Sequence, residues 1–168
     1  VEFLLVKPVK CAAFVRTKYK NLITGAIREE SFNPTAKFSP ARVDRAEMQY
    51  LYNDGDVYYV MDVETFEQIT LPMEDNKDAF KFVRENTTVK VLSYNGSVFG
   101  VEPENFVVLE VTETEPGLKG NTATNTLKPA TVETGAEVRV PLFIEQGELI
   151  EIDTRDGSYM GRAKSYDK

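Results

Sequence analysis

The sequence predicts an all-β protein built from several small barrels. Three observations support this: short apolar–polar alternations, turn signals every eight to twelve residues, and almost no helical periodicity. With 168 residues, the chain has room for one domain or for up to three very small ones. It contains no apolar run of the roughly 18 residues that a membrane span needs, and no secretory signal.

Residues 1–39 form the first predicted domain. Alternation predicts strands at 2–6, 13–20 and 26–32, separated by a break at Pro8 and by a turn over residues 21–25. Proline-containing pairs follow at 33–34 and 39–40, where the first domain boundary is expected.

Residues 40–105 form the second predicted domain. Two hairpins are expected, one closed by residues 53–56 and the other by Asn95-Gly96, with strands at 48–52, 57–62, 87–94 and 97–101. Apolar residues at helical spacing predict one short helix over 76–85. Four tyrosines of the first hairpin are expected mainly in the core, with base stacking as the alternative: Tyr50, Tyr52, Tyr58 and Tyr59.

Residues 106–168 form the third predicted domain. Strands are expected at 106–114, 138–145, 148–153 and from the turn at 156–157 through Tyr159, with a long polar loop before residue 127. The second and third domains are each about 60 residues long and have a five-strand rhythm, which suits the OB barrel.

Composition excludes several classes of function. The chain has no histidine, which removes zinc sites that need histidine and histidine-based catalytic triads. Its one cysteine, Cys11, cannot form an internal disulfide and fits a reducing cytoplasm. The carboxylates do not follow the order of a calcium loop, so neither a metal nor a cofactor is expected.

Charge is distributed unevenly along the chain. The net charge of the protein is −7, which argues against simple electrostatic binding to nucleic acid. The three predicted domains carry net charges of +4, −7 and −4, in chain order. A basic first domain on an acidic body is the asymmetry that any functional hypothesis must use.

One stretch carries a specific resemblance. The spacing of its fixed positions resembles the signature of bacterial translation elongation factor P: Lys128, Ala130, Gly135, Val138, Val140-Pro141, Ile144 and Gly147. Further segments resemble the same family, so the resemblance runs almost end to end: 48–56, 61–62, 64–68, 113–120 and 156–163.

The resemblance implies an SH3-like, or KOW-like, first barrel followed by two OB barrels. Because relatives carry further residues before the strand at 2–6, the first barrel is expected to lack its first strands. The implied function is that of a monomeric, cytoplasmic elongation factor, not an enzyme, which binds the ribosome beside the P-site peptidyl-tRNA. Such a factor promotes peptide bond formation and relieves stalls at consecutive prolines.

The resemblance also assigns site residues. Lys10, at the tip of the loop after the first strand, matches a lysine that contacts the CCA end of the tRNA and is often extended by a lysine-modifying enzyme. Contacts to tRNA or ribosomal RNA are implied for seven further residues: Lys7, Arg16, Lys18, Lys20, Lys128, Tyr159 and Arg162. Val9 and Cys11 replace the glycines that usually flank the tip lysine, and Asn125-Thr126-Leu127 replaces a Gly-Gly pair in a loop near messenger RNA.

Three alternatives remain open at this point. A general single-strand nucleic-acid-binding OB protein would need a basic aromatic groove, which the acidic second and third domains disfavour. An enzyme using Cys11 as its nucleophile would lose activity on Cys11→Ser. A degenerate member of the elongation factor P family would bind ribosomes without rescuing them.

Overall fold

The protein is mostly β-structure with one short helix in the computed structural model, which describes residues 2–6, 12–116 and 126–166. The chain divides into two compact units. The first unit comprises Val1–Asp44 and Leu92–Gly100, and the second comprises Arg45–Val91 and Val101–Lys168. In the part of the chain that the structure describes, no helix is long and apolar enough to cross a bilayer.

A three-stranded antiparallel sheet forms most of the first unit. Its strands follow chain order as β1 (Glu2–Val6), β2 (Phe14–Lys20) and β3 (Ile27–Phe32). The predicted turn between β2 and β3 is confirmed, because Asn21 Oδ1 accepts the backbone N–H groups of residues 23 and 24 at 2.9 and 3.0 Å. Gly25 completes this turn at φ 72°, a conformation that glycine adopts without strain.

The central sheet has five strands and remains open. Its strands are β4 (Asp44–Asn53), β5 (Val57–Asp62), β6 (Gln68–Pro72), β7 (Thr88–Tyr94) and β8 (Ser97–Glu102). They lie in the order β6-β5-β4-β7-β8, so β6 and β8 form its edges. Both predicted hairpins are present, and Asn95 and Gly96 take positive φ values of 49° and 79°, as a two-residue type I′ turn requires.

The helix α1 spans Met73–Phe80, so the predicted bounds of 76–85 were wrong. It begins directly after Pro72, whose fixed φ suits a helix start, and Asn76 Nδ2 donates to the Pro72 carbonyl at 2.8 Å. The apolar residues after Phe80 leave the helix because Phe82 and Val83 are buried in two different cores. The helical spacing of the apolar residues therefore extended the predicted helix beyond Phe80, where α1 ends.

An aromatic cluster holds the core of the central sheet. Tyr58 stacks on Phe80 with ring centroids 4.0 Å apart, and Tyr50 meets the same ring edge-on at 5.1 Å. Val60, Val89 and Val91 are almost fully buried around them. The expectation that most tyrosines of this segment pack internally is correct for Tyr50 and Tyr58.

The last five strands form a closed barrel in the order β10-β11-β13-β12-β9. We call this barrel the C-terminal domain, and the central sheet with its helix the central domain. Its strands are β9 (Phe106–Thr114), β10 (Leu127–Val132), β11 (Glu137–Pro141), β12 (Leu149–Asp153) and β13 (Ser158–Arg162). The strand predicted over 138–145 ends early, at Pro141, whose carbonyl accepts the Ile144 N–H at 3.1 Å in a turn. Ile144 nevertheless reaches the core and is fully buried.

Phe82 joins the central and C-terminal domains. Its side chain is 5% exposed and belongs to the core of the closed barrel, although its chain position is in the central domain. The ring lies only 3.2 Å from the position where a Cβ on Gly157 would stand. Thr134 Oγ1 also donates to the Lys81 carbonyl at 2.8 Å, and the Arg84 guanidinium lies 4.0 Å from the Tyr166 ring centroid. The two domains of the second unit thus share packed and polar contacts.

These features confirm the predicted fold class. A three-stranded sheet, an open five-stranded sheet and a closed five-strand barrel follow one another along the chain. The only described helix is α1 in the central domain.

We expect Phe82→Ala to destabilise the protein by about 3–5 kcal/mol, because it empties a ring-sized site in the closed barrel. Chemical denaturation monitored by circular dichroism measures this loss. Phe66→Ala is the matched control, since Phe66 is 70% exposed and its truncation leaves no cavity. Equal losses in both variants would show that Phe82 does not support the barrel.

Candidate RNA-binding surfaces

A row of cations lies along one face of β2. Arg16, Lys18 and Lys20 are exposed, whereas Val15, Thr17 and Tyr19, which alternate with them, are half-buried. Side chains two residues apart on a strand point to the same side of the sheet, so the three charges form a line. The two-residue alternation in the sequence predicts this arrangement.

The acidic neighbours of this row are weak competitors for it. Arg16 Nε lies 3.4 Å from Glu29 Oε1, and both side chains are 57% exposed. Lys18 is the cross-strand partner of the same glutamate. Exposed pairs of this kind contribute little to stability, so a phosphate can replace the carboxylate at small cost.

The opposite face of this sheet is aromatic. Phe32 packs edge-on against Phe38 at 5.1 Å, and the Tyr19 ring lies 6.3 Å from Phe32. The Tyr19 hydroxyl donates to Glu30 Oε2 at 2.9 Å, and this hydrogen bond raises the pKa of Tyr19. The cation row is therefore separated from the apolar residues by the thickness of the sheet.

Lys7 and Lys10 lie outside the described residues, as does Cys11. The strands on either side are described, and Val6 is the cross-strand partner of Phe14. Lys10 therefore belongs to the connection that leads into the cation row of β2.

Two of the predicted C-terminal site residues, Tyr159 and Arg162, lie on β13. Arg162 is exposed, and its Nη2 donates to Glu148 Oε1 at 3.0 Å and to the Phe143 carbonyl at 3.2 Å. Tyr159 is half-buried and packs against the barrel core, and this burial raises its pKa. Arg162 is thus held on the exposed side of β13, whereas much of Tyr159 packs against the barrel core.

Sequence reasoning gave no function to the aromatic residue beside Arg162. The guanidinium lies 4.8 Å from the Phe143 ring centroid, and Phe143 is 53% exposed. An arginine over an open ring can both stack and bind phosphate. The signal in the sequence was an aromatic residue on the outward side of the alternation.

Lys128 does not lie on the surface. It is 4% exposed, and its Nζ donates to the backbone carbonyl of Glu115. A buried ammonium cannot reach a phosphate outside the barrel, so the geometry favours a structural function over the predicted RNA contact.

Tyr52 and Tyr59 of the central domain are available as an outside platform. Tyr52 and Tyr59 stack with ring centroids 4.5 Å apart, and Tyr52 is 49% exposed. The Tyr59 hydroxyl donates to Asp54 Oδ2 at 3.0 Å, which raises the pKa of Tyr59. A carboxylate at this position repels a phosphate backbone, which disfavours the general nucleic-acid-binding alternative.

Comparison with known proteins decides the family. Three family models match in succession: the elongation factor P KOW-like domain over residues 1–38, its OB domain over 43–101 and its C-terminal domain over 107–162. Elongation factor P of Acetivibrio thermocellus is 62% identical over 162 residues, covering 96% of this chain and 88% of the relative. That of Clostridioides difficile is 61% identical with the same coverage.

The chain belongs to the elongation factor P family. It has elongation factor P function, which makes it a translation factor and not an enzyme. Membership of the elongation factor P family also implies interaction with the ribosome.

In this elongation factor P family member, an ion pair fixes the turn that leads into β13. The Arg155 guanidinium donates to both carboxylate oxygens of Asp153, at 2.9 and 2.6 Å, and holds the pKa of Asp153 below its ordinary value of 3.8. The neighbouring Thr154 hydroxyl donates to the Glu104 carbonyl at 2.7 Å. The strand that carries Tyr159 and Arg162 therefore starts from a fixed turn.

We expect Arg155→Met to raise the pKa of Asp153 toward 3.8, because the guanidinium that favours the carboxylate is lost. A depressed folded-state pKa stabilises the fold above the unfolded pKa, and this contribution disappears as the pH falls through the folded value. The variant should therefore lose its turn at a higher pH than the parent. A carboxyl-carbon NMR titration measures both effects, and an unchanged Asp153 pKa would contradict the assignment.

Proposed function

We propose that this protein binds beside the P-site peptidyl-tRNA on the ribosome, promotes peptide bond formation and relieves stalls at consecutive prolines. Its contacts would be to the tRNA and to ribosomal RNA. The observation that carries the proposal is the exposed cation row of β2, which lies directly after the connection containing Lys10. The protein would act as a monomer in the cytoplasm, where translation takes place.

The cation row supports a contact with a nucleic-acid backbone. Arg16, Lys18 and Lys20 point to one side, and only exposed carboxylates compete for them. Phosphate contacts of this type position a protein on its nucleic acid without reading the sequence. We assign this row to the acceptor arm of the tRNA, and Lys7 to the same contact.

The central and C-terminal domains oppose indiscriminate binding. Their net negative charge would repel RNA in general. Attraction would then come from local groups such as Arg162 and the Phe143 ring beneath its guanidinium. We assign Arg162 and the accessible part of Tyr159 to a second RNA contact. An acidic body with few attractive points favours one defined complex over general nucleic-acid binding.

Lys10 would reach the CCA end of the tRNA. Steadying the reactive end of a poor substrate lowers the entropic barrier to reaction, so the catalysis belongs to the ribosome. A lysine-modifying enzyme would lengthen this reach. Val9 and Cys11, which flank Lys10, stand where glycines are usual in the family, and neither residue adopts positive φ as readily as glycine does.

We expect this protein to restore synthesis through three consecutive prolines in a reconstituted translation system. Lys10→Ala should abolish that rescue, because the group at the CCA end is lost, while ribosome binding is largely kept. Peptide yield over time measures rescue, and sedimentation with ribosomes measures binding. Rescue that survives Lys10→Ala would exclude the tip mechanism.

The cation row is tested in the same system. Combined Arg16→Ala and Lys18→Ala should weaken ribosome binding and make it less sensitive to salt, because fewer phosphate contacts remain. Lys37→Ala combined with Lys164→Ala removes two exposed charges elsewhere and is the matched control. Ribosome binding by the parent without rescue would identify a degenerate family member instead.

A further inference from the structure

Arg162 of β13 is exposed, yet its guanidinium is held by several contacts. Its side chain is 52% exposed, and Nη2 donates to Glu148 Oε1 at 3.0 Å and to the Phe143 carbonyl at 3.2 Å. The guanidinium also lies 4.8 Å from the centroid of the Phe143 ring. Holding an exposed arginine in one place costs rotamer entropy, and an exposed ion pair alone contributes little. The contacts with Phe143 therefore add a restraint that the ion pair with Glu148 does not supply.

Phe143 restrains the guanidinium with two different groups. Its backbone carbonyl accepts a hydrogen bond, which fixes the place of Nη2. Its ring lies against the guanidinium, which restricts the tilt of the guanidinium plane. The ring is 53% exposed and is not part of the barrel core. Core packing thus does not explain why an aromatic side chain stands at this position.

The turn that carries Phe143 is itself fixed. Ile144 is fully buried, and its N–H donates to the Pro141 carbonyl at 3.1 Å. The Glu145 N–H donates to Glu148 Oε2 at 2.9 Å. The same carboxylate therefore bonds to the turn and to the guanidinium, so the groups that contact the guanidinium stay in place together.

The restraint leaves part of the guanidinium available to a ligand. A guanidinium has five N–H donors, and the hydrogen bonds that Arg162 makes with the residues that the structure describes all use Nη2. The donors on Nε and Nη1 can therefore serve a phosphate oxygen. Because Glu148 offsets part of the positive charge, this arrangement favours a phosphate at one defined place over general attraction for RNA.

We propose that Phe143 is a positioning residue that orients Arg162 for contact with a phosphate group of RNA. The ring and the carbonyl hold the guanidinium before the ligand arrives, so less rotamer freedom is lost on binding. The contact with RNA rests on the function proposed above for Arg162, whereas the restraint by Phe143 does not. The phosphate can belong to the tRNA or to ribosomal RNA.

Side-chain NMR relaxation of the arginine Nε groups tests the restraint in the free protein. In the parent, the Nε–H group of Arg162 should be more ordered than that of Arg42, whose side chain is 93% exposed. Phe143→Leu, which keeps the carbonyl but loses the ring, should lower the order of Arg162 toward that of Arg42, and Phe143→Tyr should preserve it. Phe66→Leu removes a ring that is 70% exposed and is the matched control. Equal order of Arg162 and Arg42 in the parent would overturn the proposal, as would unchanged order in Phe143→Leu.

Ribosome binding tests the consequence for RNA. Phe143→Leu should weaken binding about two- to fivefold, the effect of one exposed cation–π contact. It should also lower the salt dependence of binding by about one phosphate contact, as Arg162→Met does. A residue that only stabilised the turn would leave the salt dependence unchanged.

Double variants separate positioning from direct contact. Phe143→Leu should have no added effect on ribosome binding in an Arg162→Met background, because Arg162 is the group that it orients. In an Arg16→Ala background, the two losses should add. A further loss from Phe143→Leu in the Arg162→Met background would contradict positioning and would indicate that the ring contacts the ligand itself or supports the barrel.

Ribosomes with and without P-site tRNA distinguish the two sources of the phosphate. An effect of Phe143→Leu that requires the tRNA assigns the phosphate to the tRNA, and an effect that persists on vacant ribosomes assigns it to ribosomal RNA. Unchanged binding by Arg162→Met would refute the RNA contact proposed for Arg162 and the consequence drawn here. The relaxation measurements would still decide whether Phe143 restrains Arg162.

Discussion

The second unit depends on one packing constraint, the insertion of Phe82 from the central domain into the core of the closed barrel. The ring is 5% exposed and lies close to Gly157, at the turn that leads into β13. Because the central domain supplies this core residue, the stability of the closed barrel depends on the packing of the central domain against it. The hydrogen bond from Thr134 to Lys81 and the contact of Arg84 with Tyr166 reinforce the same joint.

The contacts of Phe82 hold together the two domains that carry most of the negative charge of the protein. The function proposed above requires attractive groups at defined places, and the negative charge of the central and C-terminal domains would limit the electrostatic attraction of RNA to a few such groups. Arg162 of β13 pairs with Glu148, and its guanidinium lies over the Phe143 ring. The turn before β13 is fixed by the ion pair of Asp153 with Arg155. Phe82, in the core of the closed barrel, lies two residues after Phe80 of the central aromatic core, so the chain links the two cores directly.

The sequence was sufficient for the strands, the hairpins and the cation row, because two-residue alternation and turn residues are local signals. The sequence-based predictions were wrong at the ends of some elements, because tertiary contacts determine where those elements stop. The helix prediction ran past Phe80 because Phe82 continues the apolar pattern while packing into another domain. The resemblance implied an RNA contact for Lys128, whereas its burial goes with a hydrogen bond to the Glu115 carbonyl that no local pattern reveals. The position of the Arg162 guanidinium over the Phe143 ring is likewise a tertiary contact that no local pattern reveals.

Residual dipolar couplings of the backbone amides test the central claim most directly. If the Phe82 joint makes the second unit rigid, couplings from residues 45–91 and from residues 101–116 and 126–166 should fit one alignment tensor. Two distinct tensors for the central and C-terminal domains would contradict the account, because the domains would then reorient independently despite the shared core.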